Sequence, residues 1–131
     1  MPGSSLWLIP SKDSVLNTTL STLITSSIPS LFPSISPPPF IPHITLTSGV
    51  PTPSSLQGWL DNLDLPIESL RLNLQKAEAG DPVVKKLTLR CEKSASLKAL
   101  AQACRAQGTE DGEHGAEEWV EESYEPHLSL M

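Results

Sequence analysis

Apolar positions along the chain fall into short blocks whose spacing predicts strands and helices in turn. Leu6 to Ile9 is a continuous apolar run stopped by Pro10, which predicts a first strand buried on both faces. Ser11, Asp13 and Ser14 offer N-cap oxygens for a helix whose stripe is Val15, Leu16, Leu20, Leu23, Ile24 and Ile28, with Pro29 ending it. The stretch 33–42 carries five prolines and reads as a stiff, extended Pro-rich loop, with Pro42 holding Ile41 extended at the entry to the next strand. That strand, Pro42 to Ser48, is followed by a Ser48-Gly49 turn. A short helix then carries Leu56, Trp59, Leu60 and Leu63 on one side, broken by Asp64 to Pro66.

Further along, Leu70, Leu72 and Leu74 alternate with polar residues, as do Leu87, Leu89 and Cys91. These predict two half-buried strands in an antiparallel hairpin, turning at Gly80-Asp81-Pro82. Ser94 or Ser96 caps a helix with an inner face of Leu97, Leu100, Ala101 and Cys104, and Gly108 ends it. The stretch 108–125 holds eight acidic and no basic residues and reads as a solvated acidic loop, its end pinned by Trp119. The last strand is Tyr124 to Leu130. The resulting order predicts an α+β domain, 1–131, with helices packed on antiparallel sheets.

Two of these strands carry chemistry. Side chains two apart on a strand share a face, so His43 and Thr45 stand together while Ile44 and Leu46 turn to the core. Pro126-His127-Leu128-Ser129-Leu130 repeats the pattern: proline, histidine, aliphatic, hydroxyl, aliphatic. Imidazoles titrate near neutral pH, so a facing pair can hold one neutral and one protonated ring. The neutral ring takes a proton from water and the charged ring gives one to a leaving oxygen. The hydroxyls can donate to the non-bridging oxygens of a phosphate. This set suits metal-free phosphodiester hydrolysis; two ordinary strands with half-exposed histidines would show the same spacing.

Composition narrows the partners. Charged residues make up 18% of the 131 positions and apolar residues 38%, in the range of a folded soluble chain. A net charge of −6 argues against general nucleic-acid binding, but leaves room for a small phosphate held by local donors. Cys91 and Cys104 match no zinc or redox spacing and read as small buried residues, a bridge between them being left open. His114, alone among the acidic residues, is not read as a metal site, and no metal or cofactor is implied. No apolar stretch has the length of a membrane helix and no signal-type N-terminus is present, which predicts a soluble intracellular protein.

The PHITLTSG and PHLSL segments resemble the paired HxT and HxS motifs of the two-histidine (2H) phosphoesterases. The opening Ser5-Leu6-Trp7-Leu8-Ile9-Pro10 resembles the fungal and plant 2′,3′-cyclic-nucleotide 3′-phosphodiesterases within that superfamily. The resemblance runs from about Leu6 to Leu130. It implies two lobes, each with a sheet, facing across a cleft with one histidine motif on each wall. It implies catalytic His43 and His127, with Thr45 and Ser129 binding substrate. It implies a monomer acting on small cyclic phosphates such as nucleoside 2′,3′-cyclic phosphates or ADP-ribose 1″,2″-cyclic phosphate from tRNA splicing. A Golgi association is a further implication. Relatives continue past the second motif, so the resemblance also implies an incomplete domain whose second motif strand has an unpaired edge and an exposed apolar face. That expectation motivates a different reading, a catalytically inactive remnant that binds a nucleotide or a protein. An RNA-trimming phosphodiesterase is a third, disfavoured by the acidic balance.

Overall fold

A computed structural model of the chain describes residues 4–33, 40–51, 56–67, 70–79 and 87–130. Its strands are β1 (Ser4–Leu8), β2 (Ile44–Val50), β3 (Leu74–Ala79), β4 (Leu87–Cys91) and β5 (His127–Ser129). Its helices are α1 (Val15–Thr22), α2 (Ile28–Leu31), α3 (Leu56–Asp61), α4 (Ala95–Gly108) and α5 (Gly112–Glu122). A π-helical turn, Leu23–Ser27, joins α1 to α2. The strands form one sheet in the order β1-β2-β5-β4-β3, and the pairings of β2 with β5, β5 with β4 and β4 with β3 are antiparallel. The fold is therefore α+β, as the alternation of periods indicates.

The chain divides into two compact units. One comprises Met1–Trp7, Thr45–Asn73 and Glu92–Pro126; the other comprises Leu8–Ile44, Leu74–Cys91 and His127–Met131.

In the second unit, Ser14 caps α1 by accepting from the Asn17 N–H. Leu20, Ile24 and Ile28, four residues apart, are the positions of the stripe that go into the core, whereas Val15 is 82% exposed. Pro29 does not end the helix, which continues to Leu31. Proline has no N–H for the carbonyl four residues back, so the turn before it widens, and the Ile28 N–H reaches Leu23 O instead. Thr25 Oγ1 bonds back to Ser21 O at 2.7 Å, a serine/threonine habit that also loosens a helix.

The β3–β4 hairpin pairs Ala77 with Leu89 and Glu78 with Thr88, with a register shift between Leu74 and Ala77. Its expected turn, Gly80-Asp81-Pro82, lies outside the described residues, as does 34–39 of the Pro-rich loop.

The strand expected at Leu70 starts only at Leu74, because the Arg71 backbone, in the first unit, is taken elsewhere. Its N–H donates to Ser96 Oγ at 3.1 Å and its carbonyl accepts from Ser94 Oγ at 3.3 Å. Ser94 also caps α4 through the Leu97 N–H. The α4 inner face is as expected: Leu97, Leu100, Ala101 and Cys104 are each at most 1% exposed.

The acidic stretch 108–125 is not a loop over most of its length, since α5 occupies Gly112–Glu122. Ala116 and Val120 share one face of α5 and are buried, and α4 supplies the balancing charge. Lys98 Nζ meets Glu121 Oε1 at 2.7 Å, and Lys93 Nζ donates to Glu121 O at 3.1 Å. The Lys98 hydrogen bond holds the Glu121 carboxyl below its usual range.

Two further expectations are corrected. β1 is not buried on both faces, since Trp7 is 50% and Ile9 55% exposed; its burial alternates as in a one-sided strand. The second motif strand has no unpaired edge and no exposed apolar face. β5 lies between β2 and β4, and Leu128 and Leu130 are 3% and 5% exposed. Pairing on both sides satisfies its backbone groups, and its aliphatic positions join those of its neighbours.

Candidate active site

Both motif segments alternate as their sequence demands. Ile44 and Leu46 are 2% and 5% exposed, while the alternate positions His43 and Thr45 are half-buried. Leu128 and Leu130 are buried, Ser129 is half-buried, and His127 is exposed. The aliphatic positions anchor each segment and leave the imidazoles and hydroxyls on the opposite side.

Register then determines which of them meet. Ile44 pairs with Leu128, and continuing one residue sets His43 opposite Ser129. On the other side of β5, Arg90 pairs with His127 and Thr88 with Ser129. Directly opposed residues on antiparallel strands present their side chains to the same face, with Cβ atoms about 4.5–5.5 Å apart. His43, His127 and Ser129 therefore share one face of the sheet within one compact unit. Thr45 belongs to the other unit, where its carbonyl accepts a hydrogen bond from the Tyr124 hydroxyl. Ile44, the first residue of β2, and Leu128 of β5 are paired within that unit. Ile44 and Leu128 lie side by side on the buried face, so the pairing covers both.

His43 is oriented from two directions. Its Nδ1 lies 2.7 Å from the Ile41 carbonyl oxygen. A carbonyl oxygen only accepts, so Nδ1 carries the proton in this contact. The Phe40 ring stands edge-on to the imidazole at 6.4 Å. Pro42, which is buried, fixes the backbone just before it.

Thr88 and Arg90 were not singled out from sequence. Their polar alternation on β4 was legible, but which strand they would flank was not. Arg90 Nε meets Glu78 Oε1 at 3.0 Å, and this hydrogen bond holds the Glu78 carboxyl below its usual range. His114 is exposed on α5 and lines a groove with Asp64, Gln107, Glu113 and Glu117 in the unit that lacks the two motif histidines.

Comparison with known proteins identifies the family. The family model described as "Cyclic phosphodiesterase-like protein" matches residues 1–131. A 2′,3′-cyclic-nucleotide 3′-phosphodiesterase of Phaeosphaeria nodorum is 40% identical, the match covering 100% of this chain and 69% of that protein. One of Neurospora crassa, with the same name, is 34% identical over 100% of this chain and 71% of its own length. One of Yarrowia lipolytica is 28% identical over 98% and 72%.

Proposed function

The chain belongs to the cyclic phosphodiesterase-like protein family, and from that premise we propose that it hydrolyses 2′,3′-cyclic phosphates to 2′-phosphates. The observation that carries the proposal is the register of β2, β5 and β4, which gathers two imidazoles and a hydroxyl on one sheet face. In the reaction, His127 takes a proton from water as the water oxygen forms a bond to phosphorus. The bond from phosphorus to the 3′-oxygen breaks, and that oxygen receives the Nε2 proton of His43. The product keeps its phosphate on the 2′-oxygen. Ser129 and Thr45 donate to the non-bridging oxygens, where negative charge builds in the transition state.

Nothing in this sequence of proton transfers requires a metal, because one imidazole activates the water and the other stabilises the departing oxygen. Nucleoside 2′,3′-cyclic phosphates and ADP-ribose 1″,2″-cyclic phosphate, the latter formed in tRNA splicing, both present the strained five-membered ring this site would open. Of the two grounds for a purely binding remnant, the exposed strand edge is absent because β5 is paired on both sides, while the match to only 69% of the length of the Phaeosphaeria nodorum protein remains.

Phosphorus NMR of the chain with adenosine 2′,3′-cyclic phosphate, near neutral pH and with EDTA, tests the proposal. The expected product is the 2′-phosphate alone. His43→Ala and His127→Ala should each lower turnover by roughly a thousandfold while substrate binding survives. Unimpaired turnover in either variant would overturn the acid–base pair. Turnover lost with EDTA and restored by a divalent cation would overturn metal independence.

A further inference from the structure

The first motif strand is gripped from the side at Thr45. Tyr124 follows α5, is 6% exposed, and donates its hydroxyl to the Thr45 carbonyl oxygen at 2.9 Å. That carbonyl lies in the rigid peptide plane joining Thr45 to Leu46. Holding the plane holds the torsion at Thr45, and with it the direction in which its side chain leaves the strand.

Tyr124 is itself backed. The Trp119 ring lies 5.1 Å from the Tyr124 ring at a 36° tilt, and the Arg105 guanidinium sits over Trp119, its Cζ 4.6 Å from the ring centre. Arg105 returns to the strand: Nη1 donates to Thr47 Oγ1 at 3.3 Å and to Ser48 O at 3.4 Å, while Nε meets Asp111 Oδ2 at 2.7 Å. Thr47 is 1% exposed. The loop is closed, from Thr45 through Tyr124, Trp119 and Arg105 to Thr47. One stack thus holds the strand at Thr45, Thr47 and Ser48. All of these residues belong to one compact unit. The Asp111 carboxylate balances the Arg105 charge, and Glu110 and Asp111 flank the adjoining cavity of about 400 Å³. Those carboxylates make the cavity unsuited to an anion, so the arginine serves the strand and not a ligand.

We propose that Tyr124, backed by Trp119 and Arg105, is a positioning residue for Thr45 and sets the hydroxyl that holds the phosphoryl oxygen. The proposal rests on the catalytic reading given above. A donor that acts on developing charge contributes to turnover only when it is aimed before the charge forms, which is what support from behind supplies.

A double-mutant cycle on hydrolysis of adenosine 2′,3′-cyclic phosphate tests it. Tyr124→Phe deletes the hydroxyl and keeps the ring stacked on Trp119. It should lower kcat by roughly tenfold and change KM by less than about twofold. Thr45→Val should lower kcat by roughly a hundredfold, in the range for removal of one transition-state donor. If Tyr124 acts through Thr45, the double variant matches Thr45→Val alone within about twofold. Independent effects, multiplying to roughly a thousandfold, would overturn the proposal, as would an unchanged kcat in Tyr124→Phe. If Tyr124→Phe lowers the folded fraction, Arg105→Lys loosens the stack from behind and is read through the same cycle. An inactive wild type would bring down the catalytic reading and the clamp with it. An active wild type with independent effects would bring down the clamp alone.

Discussion

His43 and Cys104 show how neighbours decide what a side chain can do. The Ile41 carbonyl and the Phe40 ring restrict the His43 imidazole to one tautomer and one edge, so its Nε2 is presented in a defined direction. Cys104 is the opposite case. It is 1% exposed on the inner face of α4, and burial pushes its thiol up to about 11. The thiolate is the reactive form, so Cys104 should resist alkylation at pH 8 in the native protein and react quickly in urea. The linkage has a definite sign. Below the unfolded pKa, near 9.0, the native and unfolded thiols both hold their protons and the contribution is complete. As the pH rises from there to about 11, only the unfolded chain gives up its proton, and stability falls. Urea melts of wild type and Cys104→Ala between pH 8 and 10.5 should therefore show the wild type losing more stability. Equal losses would show that the thiol ionises alike in both states.

Among the elements, α5 and β5 acquire their structure from their partners. The only apolar residues on α5 are Ala116, Trp119 and Val120, set among acidic neighbours that would repel one another in isolation. The i, i+3, i+4 spacing of those three positions was legible. Lys98 of α4 and Lys93 just before it, which meet Glu121 through its carboxylate and its carbonyl, come from another stretch of sequence, and that pairing was not. Val120→Asp would place a carboxylate where a side chain is 1% exposed, at a cost of about 3 kcal/mol or more. It should release Trp119 and Tyr124 together, abolishing turnover. Glu117→Gln, on the exposed side, should stay within about 0.5 kcal/mol of wild type. Urea denaturation followed by circular dichroism distinguishes the two, and a neutral Val120→Asp would show that α5 is dispensable. β5 is only three residues long and has too little local propensity to persist alone. Its two neighbours in the sheet supply the stability.

At the scale of the molecule, charge and connectivity set the limits. Among the described residues no helix is long and apolar enough to cross a membrane. A chain of net charge −6 has no sequence-independent attraction for a polyanion. Fluorescence anisotropy at 150 mM salt should show binding to single-stranded RNA no tighter than about 10⁻⁴ M, the weak limit of non-specific association. Micromolar binding would instead favour an RNA-trimming enzyme. By itself the sequence indicated most of the elements, the choice of capping residues within which Ser14 and Ser94 lie, the buried face of α4, and the four residues to which the proposal gives the chemistry. Those are local properties: a period of two or near four, an oxygen one residue before a helix, a histidine two residues before a hydroxyl. Tertiary structure decided what depends on partners distant in the chain. It placed β5 between β2 and β4, paired Ile44 with Leu128, made a helix of the acidic stretch, and put the Tyr124 hydroxyl on the Thr45 carbonyl. Strand register and side-chain partners follow from which buried surfaces fit together, and that complementarity is a property of the folded chain, which no single segment encodes.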